Sequence, residues 1–118
     1  MATLVALLST GKGTWAEVAK IIRAHDWEKV YLITNEFGAG TFTKLENTEF
    51  IVINPDSSVE EIIDSIKKGL TQKIMDTEVA LNMSSGTGKE HMATLSALLK
   101  LGLGIRLITI ANDAVKEL

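Results

Sequence analysis

The sequence predicts a single α/β domain over residues 1–118, with helices on both faces of a mainly parallel sheet of five or six strands. Three observations predict this fold. The length of 118 residues fits one domain. Short, near-continuous apolar runs have the pattern of strands that are buried on both faces. Segments with helical periodicity lie between these runs, and alternation of strands and helices indicates a parallel sheet in three layers, a Rossmann-like arrangement.

Five apolar runs are predicted to be strands. Each run is bounded by polar or glycine-rich segments, and only a short tail follows the last one. The predicted strands are Thr3–Leu8, Val30–Thr34, Glu49–Ile53, Glu78–Met83 and Ile105–Ala111.

Helices are predicted after the first, third and fourth strands. The first begins with Thr14 and Glu17 as a capping box, and the second begins with Ser58 and Glu61 in the same arrangement. The third follows Lys89. In each helix, apolar residues at helical spacing are expected to face the sheet. They are Trp15, Val18, Ala19 and Ile22 in the first, Val59, Ile62, Ile63 and Ile66 in the second, and Met92, Leu95, Leu98 and Leu99 in the third.

Composition excludes several classes of protein. A net charge of −3 argues against a surface that binds duplex nucleic acid or an anionic membrane, because both favour basic patches. The absence of cysteine excludes disulfides, thiolate metal sites and thiol nucleophiles. The first apolar run is too short for a membrane span and has no basic flank, so a cytoplasmic location is expected.

Glycine-rich loops follow the first and fourth strands, and both lead into helices. In a parallel sheet a ligand binds beyond the carboxyl ends of strands, where the strand order reverses. The simplest layout therefore places the first and fourth strands side by side, with their loops facing each other across one crevice. Backbone N–H groups at the start of a helix bind anions, and glycine lets a ligand approach them. The loop residues are Ser9, Thr10, Gly11 and Lys12 in the first loop, and Ser84, Ser85, Gly86, Thr87, Gly88 and Lys89 in the second.

The link between the second and third strands reaches the same edge of the sheet. It is predicted to begin as a loop, Asn35–Gly40, and it is short for a helical crossover. Asn35, Glu36 and Phe37 either cover the ligand or form a plain loop.

Two familiar nucleotide motifs are absent. Gly88-Lys89 resembles the end of a P-loop, but Met83 and Glu90 stand where that motif needs glycine and a hydroxyl residue. The first loop has two glycines of a dinucleotide fingerprint and not the third. His25 and His91 do not have the spacing of a zinc site, so neither a metal nor a cofactor is expected.

The segment Asn82–Met92 (NMSSGTGKEHM) resembles the signature of CARF domains, the CRISPR-associated Rossmann-fold sensors. In that family a strand ends in a small, hydroxyl-rich, glycine-bearing turn, followed by a basic residue and an apolar helix. The Ser9-Thr10-Gly11 turn resembles the other ligand loop of the family. The resemblance covers nearly the whole chain in the order of its elements.

The resemblance implies a homodimer that binds a cyclic oligoadenylate, most simply the tetra-adenylate ring, whose symmetry matches a two-fold axis. It further implies a ring nuclease, in which a ribose 2′-hydroxyl attacks the adjacent phosphate without a metal. Lys89 would stabilise the developing charge, and Ser9 and Thr10 would position the ribose or phosphate. The other implied ligand contacts are Gly11, Lys12, Asn35, Asn82, Ser84, Ser85, Gly86, Thr87, Gly88 and His91, with His91 a candidate for proton transfer.

Other interpretations stay open at this point. The same dimer could bind the ligand without cleaving it and regulate a partner protein. An unrelated Rossmann-like domain could instead bind a mononucleotide or another phosphorylated metabolite. Ser84, Ser85 and Thr87 could cap the third helix, and Lys89 could be a solvated surface residue.

Overall fold

The computed structural model describes residues 2–9, 12–45 and 47–118, with Lys12 and Gly13 described by their backbone alone. Its strands are β1 Thr3–Leu8, β2 Lys29–Thr34, β3 Thr48–Val52, β4 Glu78–Asn82, β5 Gly104–Ala111 and β6 Ala114–Glu117. Its helices are α1 Lys12–Ala24, α2 Glu36–Thr41, α3 Val59–Leu70 and α4 Gly88–Lys100. The five predicted strands are confirmed, each within one residue at either end.

All six strands form one sheet in the order β3-β2-β1-β4-β5-β6. Strands β1 to β5 are parallel, and β6 pairs antiparallel with β5. The predicted α/β fold is therefore confirmed, and so is the adjacency of the first and fourth strands. Strand order reverses between β1 and β4, because β2 and β3 extend to one side and β5 and β6 to the other.

Each face of the sheet carries its own apolar cluster. On one face, residues of α3 and α4 pack against alternate residues of the central strands, including Val5, Leu7 and Leu81. On the other face, α1 packs against the intervening residues, including Leu4 and Leu8. Both clusters need apolar residues, so the central strands are near-continuous apolar runs, and this pattern is why they could be identified from sequence.

Two predicted local features are wrong, one at the start of α1 and one in the link between β2 and β3. Helix α1 begins at Lys12, so Thr14 lies inside its first turn and is not its N-cap. The segment predicted as the loop Asn35–Gly40 contains helix α2, with Asn35 as its N-cap. The Asn35 Oδ1 atom accepts a hydrogen bond from the Gly38 N–H at 2.8 Å, which stabilises this short helix despite its glycines.

The outward face of α4 also differs from the prediction. Met92 and Leu99 were expected to face the sheet, but both are exposed, whereas Ala93, Ala97 and Leu98 are buried. The buried side of α4 is thus formed by the two alanines with Leu98, and Met92 and Leu99 lie on its outer side.

The short tail predicted after the fifth strand forms strand β6. A two-residue turn joins β5 to β6, and both of its residues, Asn112 and Asp113, have positive φ of 52° and 63°. Asn and Asp tolerate this left-handed conformation, which suits tight hairpins. No helix in the described part of the chain is long and apolar enough to span a bilayer.

Candidate functional site

The carboxyl ends of β1 and β4 form the reversal point at which open parallel sheets bind ligands. The loops that follow these strands touch. The Ser9 backbone N–H donates a hydrogen bond to Ser85 Oγ at 2.8 Å. Ser85 is buried, so its hydroxyl joins the two loops and does not face solvent. The predicted crevice is therefore closed between Ser9 and Ser85, and a ligand would lie above this contact.

Asn82, the last residue of β4, holds the second loop in place. Its Nδ2 donates to Ser84 Oγ and to the Ile108 carbonyl, each at 3.0 Å, and its Oδ1 accepts from the Ser84 N–H at 3.2 Å. Asn82 is buried and uses both ends of its amide within the protein. These hydrogen bonds of Asn82 stabilise the turn after β4. Ser84 is half-buried and lies nearer to solvent than Asn82.

The start of α4 is closed by a capping box. Thr87 Oγ1 accepts from the Glu90 N–H at 3.2 Å, and Glu90 Oε1 accepts from the Thr87 N–H at 2.9 Å. The Glu90 carboxylate is buried at the positive end of the helix dipole, where its charge is stabilised. The N–H groups of Gly88 and Lys89 begin the helix and have no intrahelical acceptor. These two N–H groups therefore remain able to donate hydrogen bonds to an anion.

The Thr87 to Glu90 spacing is the signal from which Glu90 could have been found. Hydroxyl and carboxylate residues three apart before an apolar helix predict a capping box. Sequence reasoning identified Thr87 as a possible cap and missed Glu90.

Gly86 is held in a backbone conformation that favours glycine, with φ of 106°. A Cβ atom at this position would lie 3.0 Å from His91 Nε2 and 3.1 Å from Leu7 Cδ2. The turn therefore needs glycine for both its conformation and its packing.

His91 points towards the second loop. Its Nε2 lies 2.8 Å from the Ser85 carbonyl oxygen. Because a carbonyl oxygen only accepts, we assign a proton to Nε2 in this contact. The ring thus braces the loop in the described conformation.

Lys89 reaches from α4 to the turn that follows β3. Its Nζ donates to the Pro55 carbonyl oxygen at 3.1 Å, and the side chain is half-buried. The ammonium group of Lys89 therefore lies at the carboxyl edge of the sheet, on the side towards β3.

The first loop is described only in part. Thr10 and Gly11 lie outside the described residues, and the side chain of Lys12 is likewise outside them. Ser9 is half-buried, and its carbonyl oxygen accepts a hydrogen bond from Trp15 Nε1. Trp15 thus ties the end of β1 to α1.

A cavity of about 660 Å³ opens beside these loops, beyond the ends of β2 and β3. It lies between α2 and α3, and its lining includes Asn35, Phe37, Val52, Asn54 and Pro55. Sequence reasoning placed Asn35, Glu36 and Phe37 at this edge but did not find the cavity, because its other walls come from β3 and α3.

Among the described residues, no group of three or more His, Asp or Glu could hold a metal ion. No protein-family model matches the chain, and no curated protein is significantly similar to it. The fold and loop geometry define a Rossmann-like α/β domain with polar, glycine-bearing loops at its reversal point.

Proposed function

We propose that this chain is a CARF-like protein that binds a cyclic oligoadenylate as a homodimer and cleaves the ring. The observation that carries the proposal is the hydrogen bond between Ser9 and Ser85, because it joins the two predicted ligand loops at the reversal point of the sheet. A ligand above this contact meets both loops at once.

The position of Lys89 supports an anionic ligand. Lys89 is the second residue of α4, where the helix dipole disfavours positive charge. The backbone N–H of Lys89 is also one of the groups without an intrahelical acceptor at the helix start, and such groups together with an ammonium would favour a phosphate. Only one hydrogen bond, to Pro55, is described for its three donor protons, so donors remain for a ligand.

The outer surface of α4 and the neighbouring sheet face support the homodimer. Met92 and Leu99 lie seven residues apart on one side of the helix and are 58% and 66% exposed. Leu107, which shares a sheet face with the packed Ile105, is 40% exposed, and Leu118 beside it is 77% exposed. This surface begins close to Lys89, so a second copy docked on it would bring two sets of loops together.

In the proposed reaction, a ribose 2′-oxygen of the ligand attacks the adjacent phosphorus, and the bond from phosphorus to the 5′-oxygen breaks. The products carry a 2′,3′-cyclic phosphate and a 5′-hydroxyl, and the 2′-hydroxyl proton is transferred to the leaving oxygen. Lys89 stabilises the negative charge that builds on the phosphate, while Ser9 and Thr10 position the ribose or phosphate. His91 is the candidate for proton transfer once its bond to Ser85 is released.

A non-catalytic sensor is the second candidate, and one observation favours it. Lys89 and His91 are both engaged with backbone carbonyl oxygens of the protein. Side chains held in this way could report ligand binding through loop movement without taking part in chemistry.

The test is to incubate the chain with radiolabelled cyclic tetra-adenylate in EDTA and to separate the products. We expect linear products that end in 2′,3′-cyclic phosphate. Removing one group that stabilises transition-state charge typically lowers a rate by about 10²- to 10³-fold, and we expect Lys89→Ala to fall in this range.

Lys68→Ala is the matched control, because Lys68 is an exposed lysine in the last turn of α3, away from the loops. It should cleave at the unchanged rate. An intact ring that stays bound to the protein would favour the sensor, and an intact ring that does not bind would overturn both candidates.

A further inference from the structure

The cavity beyond β2 and β3 is suited to a flat heterocycle. Its volume of about 660 Å³ is within the range of small-molecule sites. Phe37 lines it and is 49% exposed, although phenylalanine is normally buried. Val52, at the end of β3, is another exposed apolar residue in the lining. These two side chains provide exposed apolar surface within the cavity lining.

Polar groups in the same lining can recognise the edge of a base. Asn35 and Asn54 each use their Oδ1 atom within the protein, with the Gly38 and Asp56 N–H groups respectively. The amide Nδ2 of each residue is then oriented as a donor. Glu36 adds an exposed carboxylate acceptor. Amide donors and a carboxylate acceptor complement the ring nitrogens and exocyclic amine of a purine.

The cavity is connected to both loops of the proposed ligand site. Its wall residue Pro55 accepts the hydrogen bond from Lys89 Nζ at 3.1 Å. The Phe37 ring contacts the Trp15 ring in a tilted arrangement, with ring centroids 5.9 Å apart, and Trp15 Nε1 donates to the Ser9 carbonyl oxygen. A nucleotide in the cavity could therefore direct its phosphate towards Lys89 while its base lies against Phe37.

We infer that this cavity is a purine-binding subsite, in which Phe37 and Val52 contact the base and Lys89 lies on the phosphate side. The choice of adenine as the purine rests on the proposed function. The apolar walls, the amide donors and the lysine are independent of it.

The first test is an NMR titration of ¹⁵N-labelled chain with AMP and, separately, with UMP. The two probes carry the same phosphate and ribose, so a difference between them reports on the base. We expect AMP to shift the amide signals of Phe37, Val52 and Asn54 and to bind more tightly than UMP. Equal shifts with both probes, or shifts confined to residues 84–89, would overturn the subsite.

The second test uses variants. Stacking of a base on an aromatic side chain is worth about 1–3 kcal/mol, so Phe37→Ala should weaken binding of AMP and cyclic tetra-adenylate by about 5- to 150-fold. Leu45→Ala is the matched control, because Leu45 has similar exposure, 41%, outside the cavity lining. Val52→Thr keeps the shape of an exposed side chain and should weaken the binding of AMP by a smaller factor. This variant tests the subsite even if Phe37→Ala disturbs folding.

These outcomes separate the subsite from the proposed function. AMP binding in the cavity without any binding of cyclic tetra-adenylate would overturn the proposed function and leave the subsite. Cyclic tetra-adenylate binding that is unchanged in both Phe37→Ala and Val52→Thr would overturn the subsite alone.

Discussion

Helices α3 and α4 pack side by side on one face of the sheet and begin with the same capping device, yet their first turns differ in charge. In α3 the second helical residue is Glu60, a negative charge that the helix dipole favours. In α4 the same position is Lys89, a positive charge that the dipole disfavours. The start of α3 thus suits helix stability alone, whereas the start of α4 carries a charge that only a ligand or a tertiary contact favours.

The outer faces of the two helices differ in the same direction. The exposed side of α3 carries charged residues such as Asp64 and Lys68, and its isoleucines and Leu70 are buried. The exposed side of α4 carries Met92 and Leu99, while its buried side is built largely from alanine and threonine. The apolar side of α3 packs within the folded chain, whereas Met92 and Leu99 of α4 form an apolar surface that the described part of the chain does not cover. In the proposed function, the ligand and the second copy of the chain would both contact α4.

Adjacent leucines on α4 provide the test with the largest expected effect. Leu98 is fully buried, so Leu98→Ala should lower the free energy of unfolding by about 2–5 kcal/mol. Leu99 is exposed, so Leu99→Ala should change the stability of the monomer by about 0.5 kcal/mol or less. Urea unfolding at protein concentrations that keep the chain monomeric measures both.

Leu99→Asp then tests the partner surface. A charge at this position should convert the proposed dimer to a monomer in sedimentation velocity, because it would be buried at the interface. The exposed Leu45→Asp serves as the control. A wild-type chain that is monomeric at high concentration would contradict the hypothesis that a second copy covers Met92 and Leu99.

Two glycines at the start of α4, Gly86 in the preceding turn and Gly88 in the helix, give a smaller effect. Gly86 has positive φ and close neighbours, so Gly86→Ala should cost about 1–3 kcal/mol in the free energy of unfolding. Gly88 is the first helical residue and a Cβ there would meet no atom within 4 Å. Gly88→Ala should therefore stabilise the chain by about 0.4–1 kcal/mol. Similar urea midpoints for the two variants would show that the turn does not need the conformation described.

The fold could be predicted from sequence where the pattern depends on burial by the chain itself. Residues such as Val5 and Leu7 form apolar runs because both faces of β1 are covered. The same logic failed for Met92 and Leu99, because an apolar residue at helical spacing can face a core or a partner. Helix α2 was missed because its glycines disfavour a helix, and its cap at Asn35 is a single side-chain contact.

The candidate site could be located from sequence, but its internal contacts could not. Small and glycine residues after β1 and β4 identified the two loops. The bond from Ser9 to Ser85 joins positions 76 residues apart, and the reach of Lys89 to Pro55 spans 34 residues. Contacts of this kind depend on the relative placement of strands, which a local pattern does not contain.

The smallest expected effect concerns the capping carboxylate of α3. Hydrogen bonds from Ser58, first from its backbone N–H and then from its hydroxyl, hold the pKa of Glu61 below its ordinary value, and Lys89 adds a weaker electrostatic contribution in the same direction. Because the folded pKa is lowered, the stabilisation from this cap is complete above the ordinary value near 4.3 and is lost as the pH falls through the folded pKa. An NMR titration of the Glu61 side chain measures this directly.

Three variants sharpen that measurement. Ser58→Ala should raise the pKa of Glu61 towards its ordinary value, and Lys89→Ala should raise it by less. Ser65→Ala should leave it unchanged, because the Ser65 hydroxyl donates to the backbone carbonyl of Glu61 and not to its carboxylate. If Lys89→Ala moved the pKa as far as Ser58→Ala, the α3 cap would be governed by the lysine of α4, and the two helix starts could no longer be treated as independent.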